Sequence, residues 1–197
     1  MQSPIAPEAA LTFWQWFQVH DEELFHLERD MERVFDELAA ALKPVHPDLV
    51  FEFSAVRDGV REFVISAGGL KDAFPAVAAL AASAPDMPRW TVVPFRQPRG
   101  LGTVKFGGVE IRGADIIVLP EVNDSLVDIQ LFVPGYKSTS QSIFEQIAFL
   151  LLDQALGEFA VETSLGSIEI GAPPPVLPSG CISLTDLEVL TRHVAAT

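Results

Sequence analysis

The sequence predicts an α+β fold, in which a mostly antiparallel sheet carries a long N-terminal helix and two further helices packed mainly on one face. Three observations lead to this prediction. Apolar residues recur at helical spacing near the start, short β-rich runs joined by glycine turns fill the middle, and helical and extended segments do not alternate regularly. A parallel α/β fold would require that alternation.

The first element is a long helical pattern that follows a polar arm over residues 1–10. Apolar side chains fall at steps of three or four residues from Phe13 to Ala41, and His20 occupies one position on this stripe. Asp21 directly after it is a suitable cap for a new helix. We therefore expect either one helix with a bend at this point or two helices in succession.

A hairpin, a helix and another strand follow. Residues 49–56 and 61–66 are β-rich, and Asp58-Gly59 between them is a hairpin turn signal. Three small residues after position 66 free the backbone for a sharp exit. Residues 70–84 then predict a helix, and residues 90–95 predict a strand.

The pattern in the second half of the chain predicts a series of shorter elements. We expect strands at 103–106, 109–112, 115–120 and 126–133, a helix at 143–156, strands at 159–164 and 168–170, and a short helix at 184–193. A proline run at 173–175 predicts a stiff linker. Residues 1–171 are therefore expected to form a single α+β domain, and residues 172–197 a proline-rich linker and a short C-terminal helix that packs back on it. No internal repeat is visible at a period of about 20–50 residues.

The charge of the chain is strongly negative and unevenly distributed. The formal net charge is −14, and residues 57–112 are the only third with more bases (8) than acids (5). An acidic protein lacks the basic footprint that nucleic acid requires, so we expect no nucleic-acid partner. The basic third has two open interpretations: it supplies salt-bridge partners for the acidic flanks, or it forms a site for an anionic ligand or an acidic partner surface.

A candidate site for a small anion lies within this basic third. Ser66, Gly68 and Gly69 precede a predicted helix, with Lys71 in its first turn, and amide groups at a helix N-terminus attract anions. Arg96 and Arg99 follow the next strand, and guanidinium groups suit carboxylate or phosphate. The candidate ligand-binding residues are thus Ser66, Gly68, Gly69, Lys71, Arg96 and Arg99. The glycine spacing matches neither a Walker A loop nor a dinucleotide fingerprint. Glycines that only turn the chain, and arginines that only protect a sheet edge, remain the alternative interpretation.

Other chemistries have little support in the sequence. Cys181 is the only cysteine, which excludes an internal disulfide and a multi-cysteine zinc site. Glu23 and His26 have the Glu-x-x-His spacing of di-iron bundles, but this motif occurs once where two copies are needed. His20 is either a histidine that bonds the backbone or a single catalytic base. We predict no catalytic residues, no metal site and no cofactor.

Several phrases resemble a family of uncharacterised bacterial proteins of similar length. The phrases span about residues 10–170 and include FWQWF at 13–17, FVISAGG at 63–69, FPAV at 74–77 and LDQALGE at 152–158. The resemblance implies a soluble bacterial α+β protein without an assigned activity. It supplies no catalytic residues to carry over.

These observations favour a non-enzymatic, acidic, cytoplasmic binding or interaction protein. The alternative is an enzyme or sensor for a small anionic ligand at the candidate site. A homodimer through the predicted strand at 90–95 is a third possibility, because Pro94 favours a sheet edge. The first basic residue is Arg29 and the longest apolar runs contain charged residues, so we expect no signal peptide and no membrane span.

Overall fold

The computed structural model describes residues 6–194, so the first five residues of the predicted N-terminal arm and the last three of the predicted C-terminal segment lie outside the described residues. The chain divides into two compact units, residues 1–96 and 97–197, where the sequence predicts one domain over residues 1–171. Each unit has its own cluster of buried apolar side chains. The described part is α+β with mostly antiparallel strand pairs, as predicted.

The first unit consists of helices that pack against a three-stranded sheet. In chain order its elements are α1 (Pro7–Val19), α2 (Asp21–Phe25), a 3-10 turn (Leu27–Arg29), α3 (Met31–Leu42), β1 (Val50–Phe53), β2 (Arg61–Ser66), a 3-10 turn (Lys71–Ala73), α4 (Phe74–Ala82) and β3 (Trp90–Pro94). The strand order is β1-β2-β3, so β3 is an edge strand of this sheet, as Pro94 predicts.

The predicted long N-terminal helix is instead a series of shorter helices. The first of them, α1, has 13 residues, ends at Val19 and is followed by a break at His20. A second break follows at His26, whose φ of −111° and ψ of 37° are not helical. Acidic residues occupy the first turn of α2, where the helix dipole favours negative charge. The breaks let Leu24 and Leu27 join the core as well as the residues of α1.

Aromatic rings form the centre of this core. The fully buried Phe63 of β2 lies with its ring centroid 5.0 Å from that of Phe17 and 5.2 Å from that of Phe53. Trp14 is also buried, and its indole N–H donates to the carbonyl oxygen of Leu80 at 3.0 Å. The faces of α1 and α4 are therefore joined by a hydrogen bond within the apolar core.

In its described residues, 97–194, the second unit contains a separate hairpin, a four-stranded sheet and three α-helices. In chain order its elements are β4 (Thr103–Phe106), β5 (Val109–Arg112), β6 (Ile117–Asn123), β7 (Leu126–Phe132), α5 (Gln141–Leu156), α6 (Glu158–Ser164), β8 (Leu165–Gly171), β9 (Ile182–Ser183) and α7 (Leu184–Val194). The hairpin pairs β4 with β5, and the sheet has the order β8-β7-β6-β9. The buried side chains of α5, α7 and the sheet form one core.

The predicted strand at 159–164 is wrong, because these residues form α6. Gly157 has a φ of 82°, ends α5 and lets the chain start a new helix at once. Glu158 and Val161 are three positions apart and both buried, which is a helical spacing. Burial of this face therefore overrides the strand preference of a β-branched and aromatic sequence.

The two units repeat one topology. In each, an antiparallel hairpin is followed by a helical connection and by a strand parallel to the second strand of the hairpin: β1-β2-α4-β3 in the first and β6-β7-α5-α6-β8 in the second. The turn after the central strand is also shared. Leu70 N–H donates to Ala67 O at 3.1 Å and Tyr136 N–H donates to Val133 O at 3.2 Å. The glycine before each donor has a positive φ, 82° and 72°.

Candidate functional site

The turn predicted to bind an anion is closed by its own residues. Ser66 at the end of β2 is buried, and its hydroxyl oxygen accepts a hydrogen bond from Gly68 N–H at 3.0 Å. Gly68 and Gly69 have φ values of 60° and 82°, which only glycine adopts without strain. The Ser66 hydroxyl and the Gly68 amide therefore serve the turn itself. Lys71 follows in the 3-10 turn before α4 and is exposed.

The two predicted arginines lie in different units. Arg96 follows β3 and its Nε donates to Glu52 Oε1 at 2.5 Å. Because β2 and β3 are parallel, Arg96 lies at the same sheet edge as Ser66. Arg99 belongs to the second unit, where its backbone N–H donates to Gln154 O at 3.0 Å. The structure thus brings Ser66, Gly68, Gly69, Lys71 and Arg96 to one edge of the first unit.

Arginines of the basic third pair with carboxylates from the acidic N-terminal third. Arg61 pairs with Glu28, Arg89 with Asp21, and Arg96 with Glu52. The partners lie about 30 to 70 positions apart in sequence but on neighbouring elements of the first unit. Of the two interpretations of the basic third, these contacts support the one in which it supplies salt-bridge partners.

A cleft of about 490 Å³ lies next to the start of β3, at the opposite end of the strand from Arg96. The end of α1, the start of α2 and the loop before β3 form its walls, and the lining residues are Gln18, Asp21, Asp86, Met87, Pro88, Arg89 and Trp90. Sequence reasoning did not select these residues as a site. The sequence signal in this loop is Asp86-Met87-Pro88, and a proline there predicts only the end of the preceding helix.

Asp21 organises one side of this cleft. Its Oδ2 accepts hydrogen bonds from Nε and Nη2 of Arg89 at 3.0 and 2.5 Å, and its Oδ1 accepts from the indole N–H of Trp90. Burial raises the pKa of Asp21, but the hydrogen bonds from Arg89 and Trp90 outweigh it and hold the pKa below its ordinary value. The lowered pKa favours the ionised carboxylate, and both of its oxygens accept hydrogen bonds.

The ring of Phe25 lies close to the guanidinium groups of both Arg89 and Arg61. The Cζ atoms of these arginines are 4.5 and 5.8 Å from the ring centroid, within cation–π range. The side chain of Arg61 is buried, pairs with Glu28 and donates from Nη1 to Leu24 O at 3.4 Å, while its Nε has no partner among the described residues. Arg61 and Arg89 thus connect the sheet to α2, through Leu24 and Asp21 respectively.

No known protein family, curated protein or solved structure matched this chain. Among residues 6–194, no helix combines the length and the apolar character that crossing a membrane demands.

The histidines singled out by the sequence have local partners. The ring of His20 stacks on Trp16 at a centroid distance of 4.3 Å, and its Nδ1 lies 2.8 Å from Trp16 O. A carbonyl oxygen only accepts, so Nδ1 carries the proton in this contact. His26 Nε2 lies 3.2 Å from Glu22 Oε1 on an exposed helix face. Within the described part of the chain, no three His, Cys, Asp or Glu side chains cluster as metal ligands would.

Proposed function

We propose that the chain is a non-enzymatic, acidic binding protein whose partner presents a basic surface. The observation that carries the proposal is the use of its cations within the fold. At least seven of the thirteen Lys and Arg residues pair with carboxylates of the same chain: Arg33, Arg61, Arg89, Arg96, Lys105, Arg112 and Arg192.

Acidic residues outnumber the cations, and most of the acidic side chains in residues 6–194 are exposed. Each pair is neutral as a whole, so the net charge of −14 is carried by acidic groups beyond those the cations neutralise. Such a surface attracts cationic partners and repels phosphate backbones and anionic membrane surfaces. The proposal therefore includes a basic protein partner and excludes nucleic acid and membrane as partners.

Binding rather than catalysis is proposed because the sequence contains no nucleophile motif, His20 contacts a backbone carbonyl and His26 pairs with a surface carboxylate. A bacterial, cytoplasmic setting is part of the same proposal. It rests on the phrases that resemble uncharacterised bacterial proteins, such as FVISAGG at 63–69 and LDQALGE at 152–158.

The alternative function is binding of a small anion by an enzyme or sensor at the end of β2. The shared edge position of Ser66 and Arg96 favours it. The Ser66 hydroxyl already contacts Gly68, and the Arg96 guanidinium already pairs with Glu52. We therefore rank this function below binding of a basic partner. A thermal-shift screen against phosphate, sulfate and citrate separates the two functions. Stabilisation that disappears in Arg96→Ala would support the anion site.

A second copy of the chain is another possible partner that we propose to test. β3 is an edge strand of its sheet, and edge strands are where a second copy of a chain can add to a sheet. Size-exclusion chromatography with light scattering decides this. A monomer at high protein concentration would end the homodimer proposal.

The proposed function is tested with a labelled octa-arginine peptide, with octa-glutamate as the control of opposite charge. We expect fluorescence anisotropy to detect binding of octa-arginine, which weakens as salt rises from about 50 to 200 mM because screening acts on exposed charges. Octa-glutamate should not bind. The absence of octa-arginine binding at about 50 mM salt would overturn the proposal.

A further inference from the structure

We infer that the cleft at the start of β3 receives a lysine or arginine side chain of the basic partner. This inference rests on the proposed function and assigns it a site. The cleft is defined by Gln18, Asp21 and residues 86–90, all within the first unit. Its volume of about 490 Å³ lies within the range of about 300–1,000 Å³ that is typical of ligand pockets.

Polar groups in the cleft are available to a cation. Asp86 is exposed, and its carboxylate has no hydrogen bond or ion pair within the described chain. The Gln18 side chain on the last turn of α1 is also exposed and unbonded there. A carboxylate and an amide oxygen are acceptors, and a guanidinium or ammonium group is a pure donor. The two side chains therefore match a cationic head group.

The cation that lies nearest to Asp86 in sequence is already engaged. Arg89 donates to Asp21 through Nε and Nη2 and to Glu22 through Nη2 at 2.9 Å. The charge of Arg89 is therefore balanced on the α2 side, and the cleft keeps the negative charge of Asp86. An anionic ligand would face this carboxylate, whereas a cationic one is attracted to it.

The remaining lining is apolar and suits the stem of a long basic side chain. Met87, Pro88 and Trp90 contribute a thioether, a pyrrolidine ring and an indole. Lysine and arginine bury their methylene stems on such surfaces while the charged head stays near water and acceptors. The combination of an apolar wall with an unpaired acceptor distinguishes this cleft from an acidic surface in general.

The test uses the full chain and the octa-arginine peptide, observed by nitrogen–proton correlation NMR. We expect titration to shift the indole N–H resonance of Trp90 and the amide resonances of Met87 and Arg89. The indole signals of Trp14 and Trp16 serve as internal references outside the cleft. Asp86→Asn should weaken binding by about threefold to fivefold, as loss of one partly exposed ion pair would.

The matched control is Asp36→Asn, which removes the same charge from an exposed carboxylate on α3 without a partner in the described chain. It should change the affinity by less than about twofold. Both variants should keep the wild-type urea midpoint, because neither carboxylate supports the fold.

Three outcomes would overturn the inference. If wild-type chain does not bind octa-arginine, the proposed function fails together with the cleft. If binding persists but Asp86→Asn and Asp36→Asn behave alike, the cleft assignment fails and the proposed function stands. If octa-glutamate shifts the Trp90 resonance instead, the cleft binds anions and the assigned charge is wrong.

Discussion

Asp21 Oδ2 accepts hydrogen bonds from both Nε and Nη2 of Arg89, at 3.0 and 2.5 Å, so one carboxylate ties the first residue of α2 to the residue before β3. The same carboxylate accepts the indole N–H of Trp90 through Oδ1. Charge-assisted bonds of this kind are stronger than neutral ones. The contact therefore fixes the wall of the cleft and joins a helix to the sheet.

Asp21→Asn should lower the free energy of unfolding by about 1–2 kcal/mol, because Arg89 and Trp90 lose an ionised acceptor at a half-buried position. Urea unfolding measures the loss. The matched control is Glu22→Gln, since the carboxylate of Glu22 also contacts Arg89 but its side chain is 66% exposed. That change should cost clearly less than Asp21→Asn, because an exposed ion pair contributes little to stability. Equal losses in the two variants would contradict the central role of Asp21.

The free energy of unfolding should also decrease in acid, because Asp21 becomes protonated there and its ion pair with Arg89 is lost. The pKa of Asp21 is lower in the folded chain than its ordinary value, so the unfolded chain binds its proton more readily. The stabilisation is therefore present above the ordinary carboxyl range and is lost as the pH falls through the lowered pKa. We expect the urea midpoint to decline below about pH 5. The decline should be shallower in Asp21→Asn than in Asp36→Asn, and parallel curves for both would refute this assignment.

Local signals in the sequence are sufficient for many of the elements. The bounds predicted for β2, β4 and β5 agree with the structure, because each strand stops at a turn whose residues are specific. Asp58 and Gly59 adopt positive φ between β1 and β2, and Gly107 and Gly108 do so between β4 and β5. Such turns depend on neighbours in sequence, and a sequence pattern is enough to identify them.

Long-range relationships explain the failures. The parallel pairs β2/β3 and β7/β8 form through helical connections, and nothing local in the strands indicates which neighbour they pair with. The charge count raised salt bridges as an interpretation but did not identify Arg89 and Asp21 as partners, which are 68 positions apart. The cleft was missed for the same reason, since its walls come from residues near 20 and near 88.

The aromatic centre of the first unit should dominate its stability. Phe63→Ala removes a fully buried ring that contacts the rings of Phe17 and Phe53. The expected loss in the free energy of unfolding is about 3–5 kcal/mol, from lost burial and from the cavity that remains. Phe106→Ala is the control, because Phe106 is 46% exposed, and it should cost well under half as much. Comparable losses would show that Phe63 is not central to the core.

The hairpin of β4 and β5 provides a test in the second unit. Gly107 has a φ of 57°, and a Cβ atom there would lie 2.7 Å from Ile143 Cδ1 and 3.0 Å from both of its γ-carbons. Because the γ-carbons are fixed on a β-branched side chain, Ile143 cannot move aside by rotating its tip alone. Gly107→Ala should therefore destabilise the chain through a steric conflict in addition to the left-handed backbone strain.

Gly108→Ala isolates the backbone contribution, since Gly108 has a φ of 78° but nothing lies within 4 Å of its added Cβ. We expect Gly107→Ala to cost about 1 kcal/mol more than Gly108→Ala in urea unfolding. Ile143→Ala should remove most of that difference in a double-mutant cycle, because the residue in conflict is then shortened. If the cycle shows additive losses, the contact between the hairpin tip and α5 does not determine the cost, and backbone strain alone explains it.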